Sequence, residues 1–269
     1  MDKMPYEAIN ILRSTMKPIF TFIFLIPTIL GCSSPAINKS IEYNEILVAQ
    51  NRIMQLHQQV DALNKKFYRI PVEIHNPVWI KRKLDHLAQI NNLLQNAVMT
   101  DVLTQSWSDE VKRAYAVHFI NYDADPKTPH EYGYLQKQEF LNLEELKKML
   151  KSNDVMKDDS WPVISKLGEV ADYNAWRIII SARIYDRPWF EKVLLPRLKK
   201  LSAEGKSSYL GYLYLRHEGN PKMTDKIILE MQNSPKPWSQ AGHDLELMEK
   251  FRIEMKRLYH LPQINLFPS

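Results

Sequence analysis

The sequence predicts an all-α fold, in which a helical bundle follows a long helical hairpin. Apolar residues recur at spacings of three and four residues over most of the chain, which is the period of an amphipathic helix. Alternating runs of β-branched residues, typical of half-buried strands, are nearly absent. Glycine is also scarce, with seven in 269 residues. These observations favour helices over strands throughout the chain after residue 44.

A first helix is expected over residues 44–68. Its apolar seam covers three heptads and leaves two interpretations open: a coiled coil that dimerises or spaces the domain from a membrane, or a helix folded against its neighbour. We favour the second, because the following helix offers a matching apolar stripe. The seam consists of Ile46, Ala49, Ile53, Leu56, Val60, Leu63 and Phe67.

The second helix completes a predicted hairpin over residues 44–105. Pro71 interrupts the chain, and Asn76 followed by Pro77 places a capping side chain and a proline where a helix begins. The apolar stripe then continues to about Thr104.

Histidines in this part of the chain lack the spacing of metal ligands. We expect His57, His75 and His86 at the surface. His118 shares a helix face with apolar residues, and a lone histidine in that position is more often a satisfied core residue than a ligand.

Residues 106–269 are expected to form a helical domain that either packs with the hairpin as one body or stands apart. Ser106 or Ser108 caps a third helix that reaches about Asn121. Asn142 and Glu145 resemble a capping box, which predicts that a helix begins there.

A central buried helix is expected over residues 168–185, because the segment is apolar on nearly every side, Val170 included. Asp186 then begins the next helix, Pro196 bends it, and Gly205 ends it. A last amphipathic helix is expected over residues 242–260.

The loop between the third and fourth helices carries the residues that look most like a functional site. Asp123, Asp125, His130 and Glu131 combine oxygen and imidazole groups within nine positions. The spacing fits neither a calcium loop nor a zinc-protease helix, and aspartate before proline is ordinary turn chemistry. The sequence therefore predicts no metal site and no cofactor.

A second candidate is an anion site built from arginines, which could bind a glycan or a peptide carboxylate. The alternative is that these arginines are solvated or paired with acidic residues, and we favour that alternative. The arginines concerned are Arg177, Arg183, Arg187 and Arg216. No residue is predicted to be catalytic.

Residues 161–225 resemble a family of uncharacterised bacterial domains that occur in secreted proteins and lipoproteins. The matching positions are Trp161-Pro162, Ser165, Gly168, Ala171, Ala175, Trp176, Phe190, Leu195-Pro196, Leu198, Gly205, Tyr212-Leu213 and Gly219-Asn220-Pro221. The resemblance implies a helical domain and no known activity.

This chain departs from the family where the family is polar. Ser181-Ala182-Arg183 stands in place of a His-Ala-Asp-like stretch, and Leu215-Arg216 in place of an Asp-Arg pair. A Gln-Tyr-Gly-Thr-Gln-like stretch is absent near Lys222. If those residues form a site in the family, we expect it to be lost or altered here.

The N-terminus carries an uncharged apolar run from Pro18 to Gly31, preceded by Lys17 and followed by Cys32. The run is too short to span a membrane and has the length of a secretory signal peptide. Its end resembles the lipobox of bacterial lipoproteins, which implies cleavage before Cys32 and acylation of its thiol. We therefore expect a signal peptide over residues 1–31, a lipidated Cys32 with a polar tether over residues 32–43, and translation from Met16.

The resemblance also implies a location in the cell envelope. Ser33 is not the aspartate that retains lipoproteins at the inner membrane, so an outer-membrane lipoprotein facing the periplasm is favoured, with the inner membrane and the cell surface left open. Cys32 is the single cysteine of the chain, so disulfides are excluded.

Composition narrows the function. A net charge of +5 with mixed signs suits a solvated surface better than nucleic-acid binding. Two hypotheses are kept: a lipid-anchored binding or structural module with an envelope protein or cell-wall partner, and a degenerate or unrecognised envelope hydrolase. The oligomeric state is left open.

Overall fold

The structure, a computed structural model, describes residues 36–70, 72–152, 161–208, 211–212, 229, 247, 250–261 and 266. The described residues contain helices and no strands, which confirms the all-α prediction. The chain divides into two units, Met1–Lys39 and Ser40–Ser269. The first is described only from residue 36, and the predicted signal peptide and Cys32 lie outside the described residues.

Helix α1 spans Ala36–Tyr68 and begins eight residues before the predicted start at Asn44. The prediction of a polar tether up to Tyr43 was therefore wrong for residues 36–43. The physical reason is that neither proline nor glycine occurs between Ala36 and Ile70, so nothing in the local sequence stops the helix from starting early.

The heptad seam of α1 is buried inside the protein's own bundle. Ala49, Ile53, Leu56, Val60 and Phe67 are buried, and the first four belong to one core cluster with residues of the next helix. This packing of the seam against the next helix agrees with the interpretation of a helix folded against its neighbour.

Helix α2, Pro77–Thr104, begins and ends as predicted. The Asn76 side chain accepts a hydrogen bond from the Val78 amide at 2.8 Å. Helix α3, Asp109–Phe119, begins after Ser108, whose hydroxyl accepts from the Val111 amide at 3.4 Å. A loop with a short 3₁₀ turn at Pro129–Glu131 follows.

Helix α4 spans Tyr134–Ser152, so the capping box predicted at Asn142 was wrong. Asn142 lies in the middle of the helix, where its Nδ2 donates to the Leu87 carbonyl at 3.1 Å and to the Asn91 side chain at 2.6 Å. The Asn142 side chain therefore hydrogen-bonds to helix α2 instead of capping the start of its own helix.

The second half of the described chain consists of short segments around a central helix. Helix α5, Ile164–Leu167, ends at Gly168, whose φ of 83° favours glycine. Helix α6, Glu169–Ala182, is the predicted central helix. Val170, expected in the core, is instead exposed, because it lies in the first turn of α6 on the side away from the bundle.

The segment after α6 changes helical type several times. A 3₁₀ turn at Arg183–Asp186 leads into α7, Arg187–Trp189, a π-helical turn at Phe190–Leu194, and α8, Leu195–Ala203. Pro196 has no amide hydrogen to donate, and the irregular turn lies directly before it, where a bend was predicted. Gly205 follows α8 with a φ of 68°, as expected for the residue that ends a helix.

Two core clusters meet on α2. One joins the first half of α2 to α4, α6 and the following turns, with Trp161 and Trp176 among its largest buried side chains. The other joins the second half of α2 to α1, α3, residues 251–258 and Leu266. The predicted hairpin and helical domain therefore share their core. In the part of the chain that the structure describes, no helix has the length and apolarity that crossing a membrane requires.

Candidate functional site

The loop proposed as a polar site uses its carboxylates to build turns. The Asp125 side chain accepts a hydrogen bond from the Lys127 amide at 2.9 Å, and Thr128 Oγ1 donates to Glu131 at 2.8 Å. Asp123 accepts from the Tyr259 hydroxyl at 2.6 Å, which connects the loop to the described segment 250–261. These are structural contacts.

His130 does not complete a metal site in this loop. Its side chain is 79% exposed, and its Nε2 lies 3.8 Å from the carboxylate of Glu131. Among the residues that the structure describes, no group of three or more His, Cys, Asp or Glu side chains is placed to hold a metal ion.

The described arginines of the second candidate site make local contacts. Arg177 donates to the Tyr173 hydroxyl at 3.2 Å, and Arg187 pairs with Glu191 at 2.6 Å, one turn away on the surface. Arg183 donates to the carbonyl of Ile180. Arg216 lies outside the described residues. Each of the three described arginines thus has a partner within four residues of it in the chain.

A buried polar layer that the sequence did not predict lies between α2, α4 and the 3₁₀ turn after α6. At its centre Glu139 is 6% exposed. Gln95 Nε2 and the Tyr185 hydroxyl each donate a hydrogen bond of 2.7 Å, one to each carboxylate oxygen of Glu139.

Burial raises the pKa of Glu139 to about 7, while the hydrogen bonds from Tyr185 and Gln95 and the positive charge of Arg183 oppose that rise. A carboxyl group that gains or loses its proton near neutral pH has the property that general acid–base catalysis needs. Its two oxygens, however, already accept hydrogen bonds from protein groups inside the core.

The polar layer continues one turn further along the same helices. Asn142 on α4 donates to Asn91 on α2, and Asn91 donates to the Ser181 hydroxyl on α6 at 3.0 Å. The three central helices are therefore linked by hydrogen bonds as well as by apolar contacts. Such fully satisfied networks specify one helix register, because a shift would leave buried groups without partners.

A sequence signal for this layer exists. Asn91 stands on the apolar stripe of α2 between Leu87 and Leu94, and Glu139 stands between Leu135 and Leu143 on α4. A polar residue in the middle of an apolar stripe indicates a buried polar contact. The spacing cannot say which of these residues meet, because that depends on how the helices cross.

A pair of histidines connects α1 and α3. The Nε2 atoms of His57 and His118 lie 3.2 Å apart, so one ring donates to the other, and His57 stacks on Tyr134 at 3.8 Å between ring centres. Burial lowers the pKa of both, that of His118 to about 4, with the neighbouring His57 and Lys137 adding to the effect on His118.

The surface location predicted for two of the histidines was therefore wrong. His57 is half-buried, and His86 is buried against Phe67, on which it stacks at 4.5 Å between ring centres. His118 is a satisfied histidine at a helix interface, as predicted, while His75 is exposed.

Asp172 is a further buried acceptor of several hydrogen bonds, within the segment predicted to resemble uncharacterised bacterial domains. Its carboxylate accepts hydrogen bonds from Trp161 Nε1 at 2.5 Å, the Ser207 hydroxyl at 2.5 Å and the Ser208 amide at 3.0 Å. Burial raises its pKa, and these donors oppose the rise. Three donors on one buried carboxylate hold the chain after α8 against α6, which is a structural role.

Comparison with known proteins finds no relative. No family model matches the chain, and no curated protein and no solved structure matches it. The resemblance of residues 161–225 to uncharacterised bacterial domains stays a prediction, as does the lipobox.

Proposed function

We propose that this chain is a lipid-anchored protein of the cell envelope whose helical domain serves as a binding or structural module. One observation carries the proposal: a short apolar run with a cationic start ends in Gly31 and the single cysteine of the chain, Cys32. A thiol in that position is the group that acylation requires, and several acyl chains give stable anchoring.

The use of the polar groups inside the domain supports the non-enzymatic part of the proposal. Glu139, Asp172 and Asp101 are buried, and each accepts hydrogen bonds from neighbouring side chains. Carboxylates committed in this way hold helices together. The candidate loop carboxylates are likewise bound into turns.

The anchor is tested by metabolic labelling. Cells that express the full chain are fed an alkyne-bearing palmitate analogue, and the chain is then examined for the label and for its membrane fraction. We expect label on the parent chain and none on Cys32→Ser. The matched control is Ser33→Ala, next to the cysteine, which should keep the label. Equal labelling of the Cys32→Ser chain would contradict the proposal.

The module is tested by photo-crosslinking in intact cells followed by affinity capture. A discrete envelope partner or cell-wall fragment is the expected result. Capture of nothing, together with turnover of cell-wall fragments by the purified protein, would contradict it.

A second candidate, an envelope hydrolase, has one specific observation in its favour: the carboxyl group of Glu139, with its pKa raised to about 7. A hydrolase that uses this group as general acid would lose at least about a hundredfold in turnover in Glu139→Gln. Glu169→Gln, which removes an exposed carboxylate on α6, is the matched control. Unchanged turnover in Glu139→Gln would exclude Glu139 from the chemistry.

A further inference from the structure

Helix α1 has a second face that is exposed among the residues that the structure describes. Between residues 43 and 62 the exposed positions are all uncharged, although a quarter of the chain's residues are Asp, Glu, Lys or Arg. Several are large and apolar, with relative exposures of 60% for Tyr43, 39% for Leu47, 52% for Val48 and 47% for Met54.

Two of the three charged residues in this stretch, Glu45 and Arg52, contact the protein's own bundle, and the third, Asp61, is half-buried. Glu45 accepts a hydrogen bond from the Ser108 amide at 2.7 Å, and Arg52 pairs with the buried Asp101 at 2.7 Å. The Glu45 carboxylate is thus paired with the residue before α3, and the Arg52 guanidinium with α2. The outer face is thus free of charge because its few charged neighbours are used internally.

The outer face also has the spacing of a helix-pairing seam. Its central positions follow one another at intervals of three, four, three and four residues, as in the seam of a coiled coil. They are Asn44, Leu47, Asn51, Met54 and Gln58, which we call the outer seam. It lies opposite the buried seam, so α1 presents heptad patterns on two sides.

We propose that the outer seam pairs with the outer seam of a second copy of this chain, forming a parallel homodimer. Two identical faces without charge can pack together, because their pairing places no like charges opposite each other. Asparagine at alternate seam positions is a known device for fixing register and limiting a coiled coil to two strands, at a cost in stability.

The parallel direction rests on the proposed lipid anchor. Cys32 precedes the first residue of α1 by four positions, so the two copies start their α1 helices from the same membrane. Two heptads are too few for a stable dimer in dilute solution, whereas anchoring to one surface raises the effective concentration of each copy for the other.

Disulfide crosslinking in membranes tests the pairing, since Cys32 is the single native cysteine and carries the lipid in the proposal. The full chain is expressed in a Gram-negative host as Leu47→Cys, as Met54→Cys, and as the control Lys148→Cys on α4. A parallel, in-register dimer brings each new cysteine opposite itself, within the Cα separation of about 4.4–6.8 Å that a disulfide requires.

We expect both outer-seam variants to form a dimer-sized band about tenfold or more faster than Lys148→Cys. Adding Asn51→Lys to the Leu47→Cys chain should suppress that band, since it sets like charges opposite each other. Crosslinking of Leu47→Cys only with Met54→Cys chains would indicate antiparallel pairing and overturn the proposal. So would crosslinking no faster than the control, or crosslinking to a different protein.

Palmitate labelling of the same cells separates this result from the proposed function. Label without enriched crosslinking overturns the dimer and leaves the anchor standing. Enriched crosslinking without label supports the pairing of outer seams and overturns the anchor.

Discussion

Glu139 places a carboxyl group inside the helical core, where desolvation favours its protonated form. The folded pKa of about 7 lies above the ordinary value of 4.5, so between these two values the folded state binds more protons than the unfolded state. The contribution of Glu139 to stability is therefore fully present below about pH 4.5 and is lost as the pH rises through about 7.

Replacing Glu139 with glutamine should remove that loss. We expect the free energy of unfolding of Glu139→Gln, relative to the parent chain, to rise by about 1–3 kcal/mol between pH 5 and pH 8. Urea denaturation at a series of pH values measures it. The exposed Glu169→Gln is the control and should show no such trend. A pH-independent difference for Glu139→Gln would contradict the assigned protonation.

The contribution of the His57–His118 pair to stability changes with pH in the opposite direction to that of Glu139. Burial lowers the pKa of both histidines, so the unfolded state binds more protons below about pH 6.5, for His118 down to about pH 4. The contact therefore contributes most to folding stability above pH 6.5, and this contribution is lost as the pH falls. The charged neighbours are Asp61, which partly offsets the effect on His57, and Lys137, which adds to the effect on His118.

We expect His118→Gln to cost about 1–2 kcal/mol at pH 7 and less at pH 4.5, because at pH 4.5 the unfolded parent chain gains a proton on this histidine that the folded chain largely does not. The exposed His130→Gln serves as the control. Histidine proton chemical shifts followed by NMR give the pKa directly. A His118 that titrates near pH 6.5 would contradict the buried pair.

At the scale of the elements, α1 shows what the spacing of residues could and could not predict. The buried seam followed from spacing alone, and so did the capped starts of α2 and α3. The early start at Ala36 did not, because polar residues near a predicted anchor look like a tether whether or not they are helical. Asn142 was misread for a related reason: a capping pattern says nothing about partners on another helix.

Substitutions on the two faces of α1 should change the free energy of unfolding by different amounts. Leu56 is fully buried in the seam, and Leu56→Ala should lower the free energy of unfolding by about 2–4 kcal/mol. Leu47→Ala, on the outer seam, should change that of the monomer by no more than about 0.5 kcal/mol. Chemical denaturation of both variants tests the assignment. Equal losses in the two variants would contradict the assignment of one buried and one exposed face.

The polar layer could not be predicted from the sequence. Asn91 and Glu139 could be recognised as polar residues on apolar stripes, but their meeting depends on the crossing of α2, α4 and α6. The loop candidate depends on residues that are close in sequence, and in the structure Asp125 and Glu131 accept hydrogen bonds from neighbouring residues of the same loop.

At the scale of the whole molecule, we propose an acylated N-terminus followed by a helical body in which the buried carboxylates of Glu139, Asp172 and Asp101 accept hydrogen bonds from neighbouring side chains. Its central claim is that Cys32 becomes the lipid-bearing first residue of the mature protein. The predicted start at Met16 is a separate matter, since cleavage removes either start. Initiation mapped to Met1 by ribosome profiling would contradict only the start.

Mass spectrometry of the N-terminal peptide from the membrane-extracted protein tests the central claim most directly. The account predicts a peptide that begins at Cys32 and carries the mass of a thioether-linked diacylglycerol, with or without a further acyl chain on the amine. A mature N-terminus upstream of Cys32, or an unmodified thiol at Cys32, would contradict it.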